Sequence, residues 1–345
     1  MRDRIKSTLR LFLGDNFSSY LLQKAKKTIN IVYLISNTFT DFKLYYRYST
    51  LFKLDNIKKE EALLILDYHS VEKGMLFLNM KPRFAKHRIE RLHEHLELKR
   101  LLQNIDRSQI EVALQVMCKY YEIHDNENIN IEDYFPQEQY EEYKELLKEN
   151  YTQQFCGAIG STHNEFYQNI AAPFDKFAFS RKSIRSFTGE KISHELIKKA
   201  ISLSLTAPSV CNRQANTVYL LEDKEKIDKV LNIQGGFTGY EENVSQLLIL
   251  TNNRNYYFSI GERNQFYIDG GVFLLNLLYS LHFYKIANCP ANWGKMVKDE
   301  RVLDTIISIP KSEKIICMIP IGIATQEFRF TLSKRRNVEE ILVKL

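Results

Sequence analysis

Residues 180–187 read Ser-Arg-Lys-Ser-Ile-Arg-Ser-Phe and set Arg181, Lys182 and Arg185 among hydroxyls. A phosphate monoester is best held by forked arginine donors with hydroxyl and backbone donors beside them. Arg181, Ser183 and Arg185 recur at every second residue, so in an extended segment their side chains share one side. Alone, such a run reads as solvated charge. A second block changes that balance: Ala207-Pro208-Ser209-Val210-Cys211-Asn212-Arg213-Gln214. Pro208 has no N–H and restricts Ala207, so a preceding helix must end about there. Ser209, Asn212 and Gln214 then offer donors and acceptors able to read the polar edge of a flat ring. Alone, this block is an ordinary helix-ending turn. The pair points to a phosphorylated heterocyclic cofactor.

These blocks need elements to position them. Ser193 reads as an N-cap for a helix running to about residue 205. Strand patterns are expected at 217–221, 246–250 and 314–323, and helices at 224–231 and 270–283. Alternation of this kind implies helices packed on a sheet. Residues 1–150 read as mostly helical, with Pro82 expected to start a helix over 83–102 and a short acidic helix over 140–149. Residues 151–175, rich in Gly and small residues, read as a linker or hairpin. The expected organisation is a helical region over 1–160 and a second domain over 176–345. The tail, 338–345, reads as amphipathic.

Composition bounds the class. The chain has 345 residues, 44% of them hydrophobic and 26% charged, ordinary for a globular protein with a large core. Net charge is +6, of which residues 1–60 hold +7 and the rest −1. That basic segment can weakly attract an anionic membrane surface; a solvated helix face is the plainer account. Nucleic acid is not an expected partner. Cys118, Cys156, Cys211, Cys289 and Cys317 form no CxxC pair, which argues against a zinc ribbon or a disulfide framework and fits a reducing, cytoplasmic setting. The apolar run 11–13 is too short for a signal peptide.

The two blocks in this order resemble the opening of the FMN-dependent nitroreductase family, over about residues 176–345. Asp269-Gly270-Gly271 opens an apolar helix, and Lys334-Arg335-Arg336 precedes Val338-Glu339-Glu340-Ile341, both as in that family. The resemblance implies an α+β fold: a three-layer α/β/α sandwich with a mainly antiparallel mixed sheet, here preceded by a mostly helical region. It implies FMN as cofactor. Arg181, Lys182, Ser183 and Arg185 would approach its phosphate and ribityl chain, and Lys334 and Arg336 would close on the phosphate. Pro208, Ser209, Asn212 and Gln214 would touch the flavin of a partner subunit in a homodimer. Asn292 and Trp293 fall where the family presents a backbone N–H to the flavin. Ala215 stands where the family commonly has Pro, and Asn292-Trp293 differs from its usual acidic residue and Gly.

The activity implied is hydride transfer from NAD(P)H, by a ping-pong cycle, to a small-molecule acceptor that the sequence does not identify. No side chain is assigned as a catalytic acid or base. The alternative is a flavin-binding protein without catalysis, whose basic helical half docks on a membrane surface or a biosynthetic complex. Gly235-Gly236-Phe237-Thr238-Gly239 follows a helix rather than a strand, so it is no dinucleotide fingerprint; it reads as a mobile loop near a substrate mouth, or as a plain turn. His69, Glu72 and Lys73, before Gly74, read as a helix end that could face the flavin pocket. The histidines 87, 93 and 95 match no standard metal spacing, and no metal site is expected. Cys211 reads as a small buried hydrophobe.

Overall fold

The computed structural model describes residues 15–345 except 154 and 156. The basic start, the apolar run 11–13 and Cys156 lie outside the described residues. In chain order the helical part comprises α1 (Asp15–Tyr48), α2 (Ile57–Gly74), α3 (Lys86–Leu96), α4 (Ser108–Asn126) and α5 (Gln137–Leu147). There follow β1 (Ala158–Thr162), α6 (Phe174–Ser180), α7 (His194–Ser204), β2 (Asn216–Leu221), α8 (Lys224–Gln234), β3 (Gln246–Asn253), α9 (Gln265–Phe283), β4 (Ala287–Asn288), β5 (Ala291–Asn292), α10 (Val297–Leu303), β6 (Glu313–Gly322) and β7 (Glu327–Thr331).

The architecture is α+β. The main sheet runs β2-β3-β6-β4, with β5 also on β6, and every pairing among the described residues is antiparallel. A separate antiparallel pair joins β1 to β7, so the 151–175 stretch supplies a strand as well as a connection. β3 and β6 are buried along most of their length because helices cover both faces of the sheet. One core on the sheet includes Leu247, Ile249, Met318, Ile227 and Phe237; the other includes Leu248, Leu250, Ile319, Phe273 and Leu277. Alternate residues of β3 thus serve opposite cores, as the strand period of two requires.

The helical part has its own core around Leu64, Val71, Ile89, Leu92, Leu114 and Met117. Residues 56–257 and 264–345 form one compact unit, while α1 with Phe258–Arg263 belongs to another, where Arg263 forks onto Asp41 at 2.8 Å.

Several boundaries differ from the sequence expectation for physical reasons. The helix after Pro82 begins only at Lys86, because Arg83 and Ala85 adopt left-handed φ of 58° and 55°. The backbone N–H of Arg83 bonds His124 Nε2, and the Phe84 ring fills the space over Gly74, where no Cβ could sit. That helix stops at Leu96, since the peptides after it fold back onto His93 and His95 carbonyls. α9 starts five residues before Gly270 and packs closely on β6: a Cβ at Gly270 would lie 2.6 Å from Ile316. Within the tail, Val338–Glu340 makes a single 3-10 turn.

Candidate cofactor site

α6 ends at Ser180 and delivers the basic block in extended form. Ser180 Oγ bonds the Phe177 carbonyl and lies 2.8 Å from His282 Nε2 at the end of α9. His282 sits among Phe166, Tyr167 and Phe177, and burial, aided by Arg181, pushes its pKa down to about 4. The imidazole is therefore neutral at pH 7 and serves as an anchor. Ile184 and Phe187 are buried, and the Ile184 N–H bonds the Asn288 carbonyl at 2.9 Å. With Ile184 fixed inward, the strand alternation turns Ser183 and Arg185 the other way.

Arg185 is only 9% exposed, yet its Nε and Nη1 have no hydrogen-bond partner, nor does Arg181 Nη1. Among the described residues no carboxylate pairs with Arg181, Lys182 or Arg185. Burial, reinforced by Arg335, holds the Arg181 guanidinium below its usual pKa; burial, with Arg335 and Arg181, does the same to Lys182. Several like charges are thus gathered and partly desolvated with no protein anion to offset them, an arrangement that a bound anion would relieve.

The carboxy-terminal cations behave differently. Lys334 pairs with Glu111 at 3.1 Å. Arg336 forks onto Glu61 with two bonds of 2.9 Å and also reaches Glu340. Glu61 is 1% exposed and is shared with Arg107. Burial would raise its pKa, but the hydrogen bonds from Arg336 and Arg107 outweigh this and hold it low. Of the three consecutive cations, the outer two satisfy acids of the helical part. The middle one, Arg335, adds its charge to Arg181 and Lys182. Lys334 and Arg336 are the residues the resemblance pointed to; in the free chain both are paired with acids, and Arg335 is the cation whose charge reaches Arg181 and Lys182.

The 208–214 block is a strained loop. Cys211, Asn212 and Gln214 take positive φ of 49°, 53° and 51°. Gln214 donates its N–H to Ser209 Oγ and its amide to Asn212 Oδ1, both at 3.0 Å. Buried Asp269 holds the loop by accepting from the Val210 N–H, while Gln265 and Tyr257 brace the carboxylate. Cys211 is exposed, not a buried hydrophobe: its left-handed backbone turns it away from the core. The two blocks are tied to Asp269 and His282, thirteen residues apart on α9, hence about 20 Å along its axis. In one chain they stand at opposite ends of that helix.

Asn292 lies on β5 at the sheet edge and is exposed, whereas Trp293 is only 4% exposed and its indole N–H has no partner. The Asn292 carbonyl accepts from Gln234 Nε2 at 2.9 Å, and Gln234 Oε1 takes the Gly236 N–H. The glycine cluster is the plain turn of the two readings, packed into the core. Gly235 closes α8 at φ 73°, Phe237 is a core residue, and Tyr240 donates to the Lys73 carbonyl at 2.5 Å.

Lys73 thereby joins the site from the helical part, since the Tyr240 ring also lies 5.9 Å from the Arg185 guanidinium. Sequence reasoning singled out Lys73 but not Tyr240, which holds its carbonyl, nor Arg335, whose charge bears on Arg181 and Lys182. Nor did it identify Cys289, a buried thiol hydrogen-bonded by Ser183 and lying near Arg185, Lys73 and Arg181; burial keeps its pKa high despite these cations. Asp269 was legible only as the start of the Asp-Gly-Gly run.

Residues 178–323 match the model of the Nitroreductase family. No curated protein matches. Among solved structures, a nitroreductase-like protein from Streptococcus mutans is 21% identical, over 50% of this chain and 97% of that one, with a TM-score of 0.43. An FMN-dependent nitroreductase from Clostridium difficile is 16% identical, over 48% of this chain and 92% of that one, with a TM-score of 0.38.

Proposed function

We propose that this chain, whose residues 178–323 carry a nitroreductase-family domain, is an FMN-dependent oxidoreductase that works as a homodimer. The observation that carries the reading is the set of buried, unpartnered guanidinium N–H groups on Arg181 and Arg185. The residues fit the group: a phosphate dianion would accept from both arginines and relieve the repulsion among Arg181, Lys182 and Arg335. Bound here, FMN would supply hydride and electron transfer between NAD(P)H and a small-molecule acceptor, taken in turn.

The chain's own part is binding and orientation. His282, neutral at pH 7, holds Ser180 and so sets the start of the cationic segment. Gln234 fixes the Asn292 carbonyl, and buried Trp293 keeps water from the adjoining sheet edge. The 208–214 loop is too far along α9 to serve a ring held at its own chain's Arg181 and Arg185, which favours service to a second copy. The outward face of α9 carries exposed Tyr267, Ile268, Val272 and Leu275, suited to packing on that copy. Free thiols at Cys118, Cys211, Cys289 and Cys317 favour a reducing compartment such as the cytoplasm.

The test is the visible spectrum of the purified protein, followed by anaerobic addition of NADH or NADPH. A yellow protein that bleaches, and recovers its colour with an acceptor, is expected. A protein unable to take up FMN would sink the reading. Flavin that stays oxidised with both nucleotides would favour the non-catalytic binding role.

A further inference from the structure

One face of α1 is left open and is patterned for a partner. An apolar or small residue returns at positions 21, 25, 28, 32, 35, 39, 42 and 46, in steps alternating four and three. That spacing averages 3.5 residues, the period of a coiled-coil seam, and it holds for about four heptads. Val32, Ile35, Phe39, Phe42 and Tyr46 on this seam are each more than half exposed. Phe39, Phe42 and Tyr46 stack in a row, with Phe52 tilted on the last ring. Gln23, Asn30 and Asn37 mark the opposite face. That side is the occupied one: Ile260 lines a groove with Gln23, Asn30 and Leu34, and Arg263 forks onto Asp41 at 2.8 Å.

The order of sizes along the seam selects a direction. The small residues, Ala25 and Thr28, lie toward one end, and the rings of Phe39, Phe42 and Tyr46 toward the other. Two such helices set parallel would crowd ring on ring at one end and leave a gap at Ala25, which close packing does not tolerate. Reversed about a two-fold axis between Val32 and Ile35, they match in every layer. Ala25 meets Phe42, Thr28 meets Phe39, Val32 meets Ile35 and Leu21 meets Tyr46. Each pair occurs twice, as a two-fold interface requires. Charge agrees. Lys24, Lys26 and Lys27 crowd one end of α1. A parallel pair would set the two clusters level. The reversed pair separates them by about 22 Å along the axis, well beyond the roughly 8 Å reach of a charge at physiological salt. The size also suffices. With Ile29, Ile31 and Tyr45 flanking the seam, each helix offers eight large apolar side chains about half exposed or more. At roughly 100 Å² each, the pair would bury about 1,600 Å², the size of a standard stable interface.

We propose that α1 pairs antiparallel with α1 of a second copy of this chain, in the register that sets Val32 against Ile35. The inference goes beyond the flavin reading: the pairing needs no cofactor, and its surface is separate from the outward face of α9.

Photocrosslinking of the full chain tests the pairing, with p-benzoylphenylalanine in place of Phe42 and equal amounts of nitrogen-15-labelled and unlabelled protein. A mixed-isotope product joining position 42 of one chain to residues 21–28 of the other is expected. Val32→Lys and Ile35→Glu should each lower the yield about tenfold or more, by placing an unpaired charge in the seam. Mixing the two variants should restore it, because the two introduced charges then face each other. A product onto residues 39–46 would mean parallel helices, and a product confined to the chain's own residues, or none, would leave the seam unpaired; either result overturns the inference. So does cosedimentation with phosphatidylglycerol vesicles in place of the interchain product, which would give this face to a membrane. Flavin content of the same samples reads separately: a chain that pairs without taking up FMN keeps this inference and loses the function reading.

Discussion

Two basic clusters lie in the same compact unit and do opposite things. Around Glu61, the cations Arg107 and Arg336 are fully matched by carboxylates, with Lys334 on Glu111 beside them. Around Arg181 and Arg185 no acid among the described residues answers, and three guanidinium nitrogen atoms are buried without partners. The first cluster ties the tail to the helical part. The second carries a standing electrostatic cost in the free chain, one that a bound anion would relieve. Composition alone does not separate them; the partners do.

Breaking the matched cluster should have the largest effect. Glu61→Gln leaves Arg107 and Arg336 facing each other, and should cost about 3 kcal/mol of stability in denaturant unfolding. The sign with pH follows from the depressed pKa of Glu61. Its contribution is full above the unfolded value near 4.5 and fades as pH falls through the lower folded value. The gap between wild type and Glu61→Gln should therefore close only in acid.

The unmatched cluster should respond in the opposite sense. Arg181→Ala combined with Arg185→Ala removes uncompensated charge, so the flavin-free protein should melt at the same temperature or higher. A large loss would show that these arginines have structural partners.

His282 gives a contrast that is small at pH 7 and grows only as the solution is acidified. Its folded pKa, about 4, lies below the ordinary 6.5, so the unfolded chain takes up a proton first as pH falls. Stability should drop by up to about 3 kcal/mol between pH 7 and 4 from this group. His282→Asn should flatten that part of the profile; an unchanged slope would reassign it. Smallest is Lys334→Gln, which breaks a partly exposed pair and should cost under about 1 kcal/mol with FMN affinity unchanged. A tenfold loss of FMN would return Lys334 to the phosphate site.

The contrast also explains what was legible in the sequence. Local signals read well. Ser193 caps α7 by accepting from the Leu196 N–H, and the apolar run of β3 sits where its hydrophobicity placed it. The extended geometry of 181–185 follows from Ile184, the buried apolar residue set between Ser183 and Arg185.

Pairings across long stretches of chain were not legible. Nothing around Arg336 announces Glu61, and nothing around Lys334 announces Glu111, so the alternation that sends Arg335 alone toward Arg181 was invisible. Pro82 misled for a similar reason, since the contact of Phe84 over Gly74 fixes the left-handed turns that delay α3. The Gly235–Gly239 run looked mobile because its anchor, Lys73, lies far away in sequence.

The most direct measurement is FMN affinity by fluorescence quenching for the wild type and for the Arg181→Ala plus Arg185→Ala variant, alongside Glu61→Gln. Tight binding by the wild type, at least a hundredfold weaker binding by the double variant, and near wild-type binding by folded Glu61→Gln are expected, as two charge-assisted contacts at about 1.5 kcal/mol or more each would require. Equal FMN affinity in the wild type and the double variant would contradict the assignment of the unmatched cluster to a phosphate.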